Sequence, residues 1–228
     1  MNMRNRGRFA LALSAMSLLA ATALVQEPTQ EPQEPQNPQE TGGTRPMNLA
    51  PVEAEMVTNT IANWMEGPKS AVERLTEKYG QPHEATPFRM VWWNTGPWKF
   101  TMVTNEGIDH NFPVPHKDYV WQAINYNVPE AKFTELANFD GSVYARRTEG
   151  ELSAKCHMEE ANFLALNLAH EIVTGAKTVD QARTFYAEVI RAHMGNTLTE
   201  DQRKYVSGFT FEPPSEQKGD PDEQIGGG

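Results

Sequence analysis

Cysteine is almost missing from this chain. One residue, Cys156, in 228 excludes an internal disulfide framework and a multi-cysteine zinc cluster. Basic charge is scarce as well: 20 Lys and Arg stand against 30 Asp and Glu, a net charge of −10. Phosphate contacts need Lys and Arg in excess, so the balance argues against a nucleic-acid binder. Heptads and a Gly-X-Y period are lacking, which excludes coiled-coil and collagen-like chains. A Ser nucleophile elbow, a Gly-rich phosphate loop, HExxH and an EF-hand loop are lacking too. With no catalytic signature and no cofactor motif, the sequence points to a binding or interaction module rather than an enzyme.

Long apolar runs are also absent. The run from Phe9 to Val25 has 17 positions and three Ser/Thr interruptions, short of the roughly 20 apolar residues a span needs. Arg4, Arg6 and Arg8 precede it, and Ala21-Thr22-Ala23 follows. A positive n-region, an apolar stretch and small residues at −3 and −1 make 1–23 a secretory signal peptide. After cleavage no membrane span is expected. The mature chain carries 17 basic and 30 acidic residues, a net charge of −13. An exported location, periplasmic or extracellular, is expected, with Cys156 buried. Residues 24–43 read as a linker: 13 of the 15 residues Gln26–Glu40 are Gln, Glu or Pro, with nothing to bury against ordering entropy. Residues 212–228 read as an acidic, Gly/Pro-rich disordered tail.

The span 44–211 is left as one domain, long enough for a single core. Met56, Val57, Ile61, Trp64 and Met65 recur at helical spacing, and Gly67-Pro68 is expected to break that helix. A second helix runs from about Pro68 to Tyr79, with Gly80 at its end. The period then changes to two. Phe88, Met90 and Trp92, then Trp98, Phe100 and Met102, flank Asn94-Thr95-Gly96-Pro97 as a β-hairpin. Ser142–Arg147 and Glu151–Cys156 form a second hairpin around Gly150, with Val143, Ala145, Leu152, Ala154 and Cys156 inward. Between them lies a Pro-punctuated loop, Asn105–Pro115. Asp118 then caps a short helix carrying Val120, Ala123 and Ile124, although Tyr119-Val120-Trp121 also suits a strand. Pro129 opens another helix. Glu159–Thr174 is apolar nearly all round and should sit at the centre. Thr178–Gln181 and Thr199–Gln202 are capping-box patterns. The expected class is α+β: two hairpins in a small antiparallel sheet, covered by about six helices.

The strings KYGQPHEATPFRMVWWNTGPWKF, HNFPVPHKD, FDGSVYARRTEGELSAKC and EEANFLALNLAHEIVTG resemble a group of exported bacterial proteins with no assigned activity. The resemblance covers most of Ala62–Met194 and implies an envelope or secreted location, with nothing catalytic. Locally, a helix followed by Tyr79-Gly80-Gln81-Pro82 and a Trp-bearing strand is similar to the αα-ββ modules of outer-membrane assembly lipoproteins. Those modules lie behind a lipid-bearing Cys that this chain lacks, so the likeness implies topology only.

Five constellations could carry chemistry. His110, His116 and Asp118 lie within nine residues on the Pro-rich loop and could bind Zn²⁺, giving a metal-assisted hydrolase. The alternative is helix capping and loop packing. An extended six-residue stretch spans about 20 Å, so convergence requires the loop to fold back. Cys156 and His157, with Glu159 and Glu160, suggest a thiol nucleophile, but neighbours on a strand point to opposite faces. Arg146 and Arg147 could clamp an anion or simply pair with Glu149 and Glu151. Asn167, His170 and Glu171 share one face of the central helix, as a ligand set or as a solvated edge. Trp92, Trp98 and the other Trp residues could stack a glycan or a peptide, or fill the core. An envelope protein or a glycan is the expected kind of partner.

Overall fold

The computed structural model describes residues 49–226. The leader at 1–23 and the linker at 24–43 lie outside the described residues. The remainder is an α+β domain. Its elements in order are α1 (Ala54–Ile61), α2 (Glu66–Tyr79), β1 (Glu84–Thr86), β2 (Arg89–Thr95), β3 (Trp98–His110) and β4 (His116–Asn125). A 3₁₀ turn (Glu130–Lys132), α3 (Phe133–Phe139), β5 (Val143–Arg146), β6 (Glu151–Cys156), α4 (Glu159–Thr174), α5 (Val179–Met194) and α6 (Glu200–Ser207) follow. All six strands form one antiparallel sheet in the order β1-β2-β3-β4-β6-β5.

Three expectations change. The short helix after Asp118 is strand β4, hydrogen-bonded on both sides by β3 and β6. A segment with two free neighbouring edges gains more from pairing than from an isolated helical turn. The first part of the Asn105–Pro115 loop is also strand: β3 continues to His110 across a register shift between Val103 and Ile108. Gly67-Pro68 sits in the first turn of α2 instead of ending α1, where the missing proline N–H costs no helical hydrogen bond.

Directly paired residues carry their side chains to the same side of a sheet. Met90, Val103, Val120 and Cys156 form one such row, and Trp92, Thr101, Gln122, Ala154 and Val143 the next. Both rows are buried. α1 and α2 cover the Met90, Trp92, Val103 and Val120 part. α3 to α6 cover the part containing Leu152, Ala154 and Cys156. β3 is buried on both faces: Thr101 and Val103 turn toward the helices, while Phe100 pairs between Trp93 and Ala123 on the other side. α4 is the central helix, with eleven buried residues. Past α6 the chain runs beside the β5–β6 hairpin. There Asn125 Nδ2 donates to the Ser215 carbonyl, and Arg147 pairs with Asp220 and Asp222.

Candidate metal centre

The site grows out of strand parity. His116 and Asp118 are two residues apart on β4, so they share the helix-covered face with Val120. His110 is the register partner of His116, and Cys156 that of Val120. Four chemistry-bearing side chains are therefore delivered to one face at one end of the sheet. Residues 111–115 make the chain reversal that the spacing of the two histidines demands, and the imidazole centroids stand 4.9 Å apart. β6 ends at Cys156 and the chain bends at His157. Alternation ends with the strand, so the His157 ring lies beside the Cys156 sulfur instead of opposite it.

The donor atoms converge. Cys156 Sγ lies 3.4 Å from His116 Nε2 and 3.5 Å from His157 Nδ1. Asp118 Oδ1 is 3.0 Å from His116 Nε2, and Asp118 Oδ2 is 3.1 Å from His110 Nδ1. A tetrahedral ion with metal–sulfur bonds of about 2.3 Å and metal–nitrogen bonds of about 2.0 Å spaces S and N about 3.5 Å apart, and N and O about 3.3 Å apart. The two sulfur–nitrogen separations match those edges; His116, Cys156 and His157 form one cluster, and His110, His116 and Asp118 form a second that shares His116.

Each donor is held from behind. His116 Nδ1 donates to the Val114 carbonyl at 2.8 Å, which aims Nε2 at Cys156 and Asp118. His110 Nε2 faces Asp140 Oδ1 at 3.4 Å, leaving Nδ1 toward Asp118. Ser142 Oγ donates to Asp118 Oδ2 at 2.5 Å, and Ser142 N–H donates to Asp140 Oδ1. The buried Tyr186 phenol lies near Cys156. Burial, reinforced by Cys156, Asp140 and Asp118, holds that phenol well above its ordinary pKa, so it stays a donor.

The electrostatics favour a positive charge at this site. Asp118 is 1% exposed, yet its Oδ1 and the His110 Nδ1 make no aligned hydrogen bond. Burial disfavours the charged form of His116. Asp118, Cys156 and the Val114 carbonyl outweigh it and push the pKa up to about 11. Burial raises Asp140, and burial together with His116 lowers His157, keeping the latter imidazole neutral. A positive charge between Asp118 and Cys156 is therefore favoured, whether a proton on His116 or a metal ion.

The other sequence candidates lie elsewhere. Asn167 is fully buried; it donates to the Tyr205 and Gly208 carbonyls and accepts from Thr210, pinning the chain after α6. His170 stacks on Phe211 at 4.0 Å and meets the Tyr126 hydroxyl, while Glu171 accepts from Tyr205. That strip faces the C-terminal segment, away from the histidine cluster. Arg146 pairs with Glu149 and Glu151, and Arg147 with Asp220 and Asp222, so both guanidinium groups have carboxylate partners within the chain. Trp92 and Trp98 are core residues, 0% and 2% exposed, donating to the Gly80 carbonyl and to Glu159. The opposite sheet face instead carries a row Trp93, Phe100, Trp121 and Tyr144, with successive ring centroids 5.4–6.1 Å apart.

Sequence reasoning set Cys156 and His157 aside, and gave no role to Asp140, Ser142 or Tyr186. The adjacency of Cys and His was the available signal; strand parity hid it because the strand end was not visible. Buried Glu159 was also missed. It accepts from Lys78, from Tyr79 and Trp98 at 2.6 Å each, and from Gln122 at 3.0 Å.

Comparison with family models, with curated proteins and with solved structures gives no match to this chain. Among the described residues, no helix is long and apolar enough to cross a membrane.

Proposed function

We propose that this protein is an exported binding module whose ligand is a single divalent transition-metal ion. The ion is held by Cys156 Sγ, His116 Nε2 and His157 Nδ1, with Asp118 beside His116. The observation that carries this reading is the convergence of Cys156 Sγ, His116 Nε2 and His157 Nδ1 at the sulfur–nitrogen spacing of a metal tetrahedron, with a buried Asp118 oxygen that makes no aligned hydrogen bond beside His116. His110 stands behind Asp118, between it and Asp140. The signal-peptide pattern at 1–23 supports the exported location.

Titration of the metal-free protein with Zn²⁺ should show one saturable site. His116→Ala and His157→Ala should each weaken it about 10- to 100-fold or more, and binding should weaken as pH falls because protons compete for the same lone pairs. No saturable uptake near neutral pH refutes the reading.

A second reading rests on the aromatic row. Trp93, Phe100, Trp121 and Tyr144, with the Arg146 guanidinium 5.2 Å above the Trp121 ring, resemble a stacking surface for a glycan. Only Tyr144, at 40%, is a largely exposed member. A change in Trp fluorescence with soluble glycans, lost in Trp121→Ala, would favour this reading; an unresponsive spectrum would refute it.

A further inference from the structure

The identity of the ion follows from the donors and their support, given the metal-binding reading above. We infer that the physiological ion is copper, bonded to the Cys156 thiolate and able to pass between Cu(II) and Cu(I) in place.

The three strong donors are one thiolate and two imidazoles. Such a set rejects Mg²⁺ and Ca²⁺, which take oxygen, and among divalent ions of the first transition row it binds Cu²⁺ most tightly. A Cys plus two His with one weaker oxygen donor is also the ligand count of copper sites that exchange single electrons. Here the neighbouring carboxylate is Asp118, whose Oδ1 lies 3.0 Å from His116 Nε2 in the adjoining His110–His116–Asp118 cluster.

Three features favour one-electron chemistry over simple storage. The chain holds a single Cys, so no second thiol within it can trap the thiolate as an internal disulfide. Two of the three strong donors stand on strands: His116 opens β4, and Cys156 ends β6 opposite Val120. A frame of paired strands moves little when an ion changes charge by one. Cys156 is 5% exposed, with the buried Tyr186 phenol nearby. Shielding and hydrogen bonding at the sulfur are the levers by which proteins tune a copper–thiolate potential. The His110 and His116 side chains are 17% and 10% exposed, giving an electron a short route to the surface.

The step balances simply. Cu(II) held by the Cys156 thiolate and the two imidazoles gains one electron from an external one-electron donor and becomes Cu(I); no bond of the chain breaks and no proton is required. Oxidation returns the electron to an external acceptor.

The test uses the metal-free mature protein, titrated separately with Cu²⁺ and Zn²⁺, with visible absorption and electron paramagnetic resonance as readouts. The expected result is one Cu²⁺ per chain and an intense thiolate-to-copper charge-transfer band. Ascorbate should bleach the band and ferricyanide restore it over repeated cycles. Cys156→Ser should bind copper without the band. His157→Ala, at a half-buried position beyond the strand end, keeps the test independent of any folding defect from Cys156→Ser; it should shift the band and its resonance. If Zn²⁺ binds once per chain while Cu²⁺ gives no thiolate band, or gives one that a single cycle destroys, the copper inference fails and the metal-binding reading stands. If neither ion binds, both fail.

Discussion

Glu159 shows how one residue can be invisible in sequence and central in the structure. At the start of α4 it reads as an acid suited to a helix N-terminus. In the fold it is 8% exposed and gathers donors from α2, β3 and β4. Burial alone would raise its pKa, but the hydrogen bonds from Lys78, Tyr79 and Trp98 prevail and lower it. The same contact raises Lys78 against its own desolvation. A carboxylate with a depressed folded pKa stabilises the fold above its unfolded value near 4.5, and that contribution is lost as pH falls through the folded pKa. Glu159→Gln leaves donors short of a charged acceptor, so denaturant titration at neutral pH should show a loss of roughly 1–3 kcal/mol. The same variant should flatten the stability loss on acidification; an unchanged acid limb would count against the network. The metal centre divides likewise. His110, His116 and Asp118 were legible because they crowd one short segment. Cys156 and His157 were not, because 38 residues lie between Asp118 and His157 and only the β4–β6 pairing joins them.

Elements fixed by local chemistry were readable, and those fixed by neighbours were not. Both capping boxes form as the pattern indicates, with Thr178 accepting from Gln181 N–H and Thr199 from Gln202 N–H. Gly175 ends α4 at φ 79°, and Gly80 follows α2 at φ 80°, conformations that cost glycine little. The α5 cap gives a direct check: Thr178→Ala should lower the unfolding free energy by about 1 kcal/mol without altering the metal stoichiometry. β4 is the counterexample. Asp118 before Val120, Ala123 and Ile124 satisfies a helical period, and Tyr119-Val120-Trp121 satisfies a strand. The edges of β3 and β6 decide between them, and a linear pattern does not record available edges. The parity of β3 was misread for a related reason. With apolar side chains on both faces, Phe100 and Val103 give no alternation to follow.

On the scale of the whole molecule, the proposed ion would clamp β4, the end of β6 and the bend before α4 together, beside the turn after β3. A ligand that binds only the folded chain stabilises it by mass action, about 2.7 kcal/mol at one hundred times its Kd. Thermal unfolding with saturating Zn²⁺ should therefore shift upward by several degrees, and the shift should shrink sharply in His157→Ala. An equal shift in that variant would place the ion elsewhere. Composition alone bounded the class: one cysteine, a negative balance and no long apolar run, together with helices whose caps and apolar faces are local. Those properties depend on residues within a few positions of one another, and side-chain chemistry determines them. The sheet order β1-β2-β3-β4-β6-β5, the burial of Glu159 and the meeting of His116, Asp118, Cys156 and His157 depend on register between distant strands. Backbone hydrogen bonds are the same for every residue, so the register is set only when the whole apolar face of the sheet finds its helices.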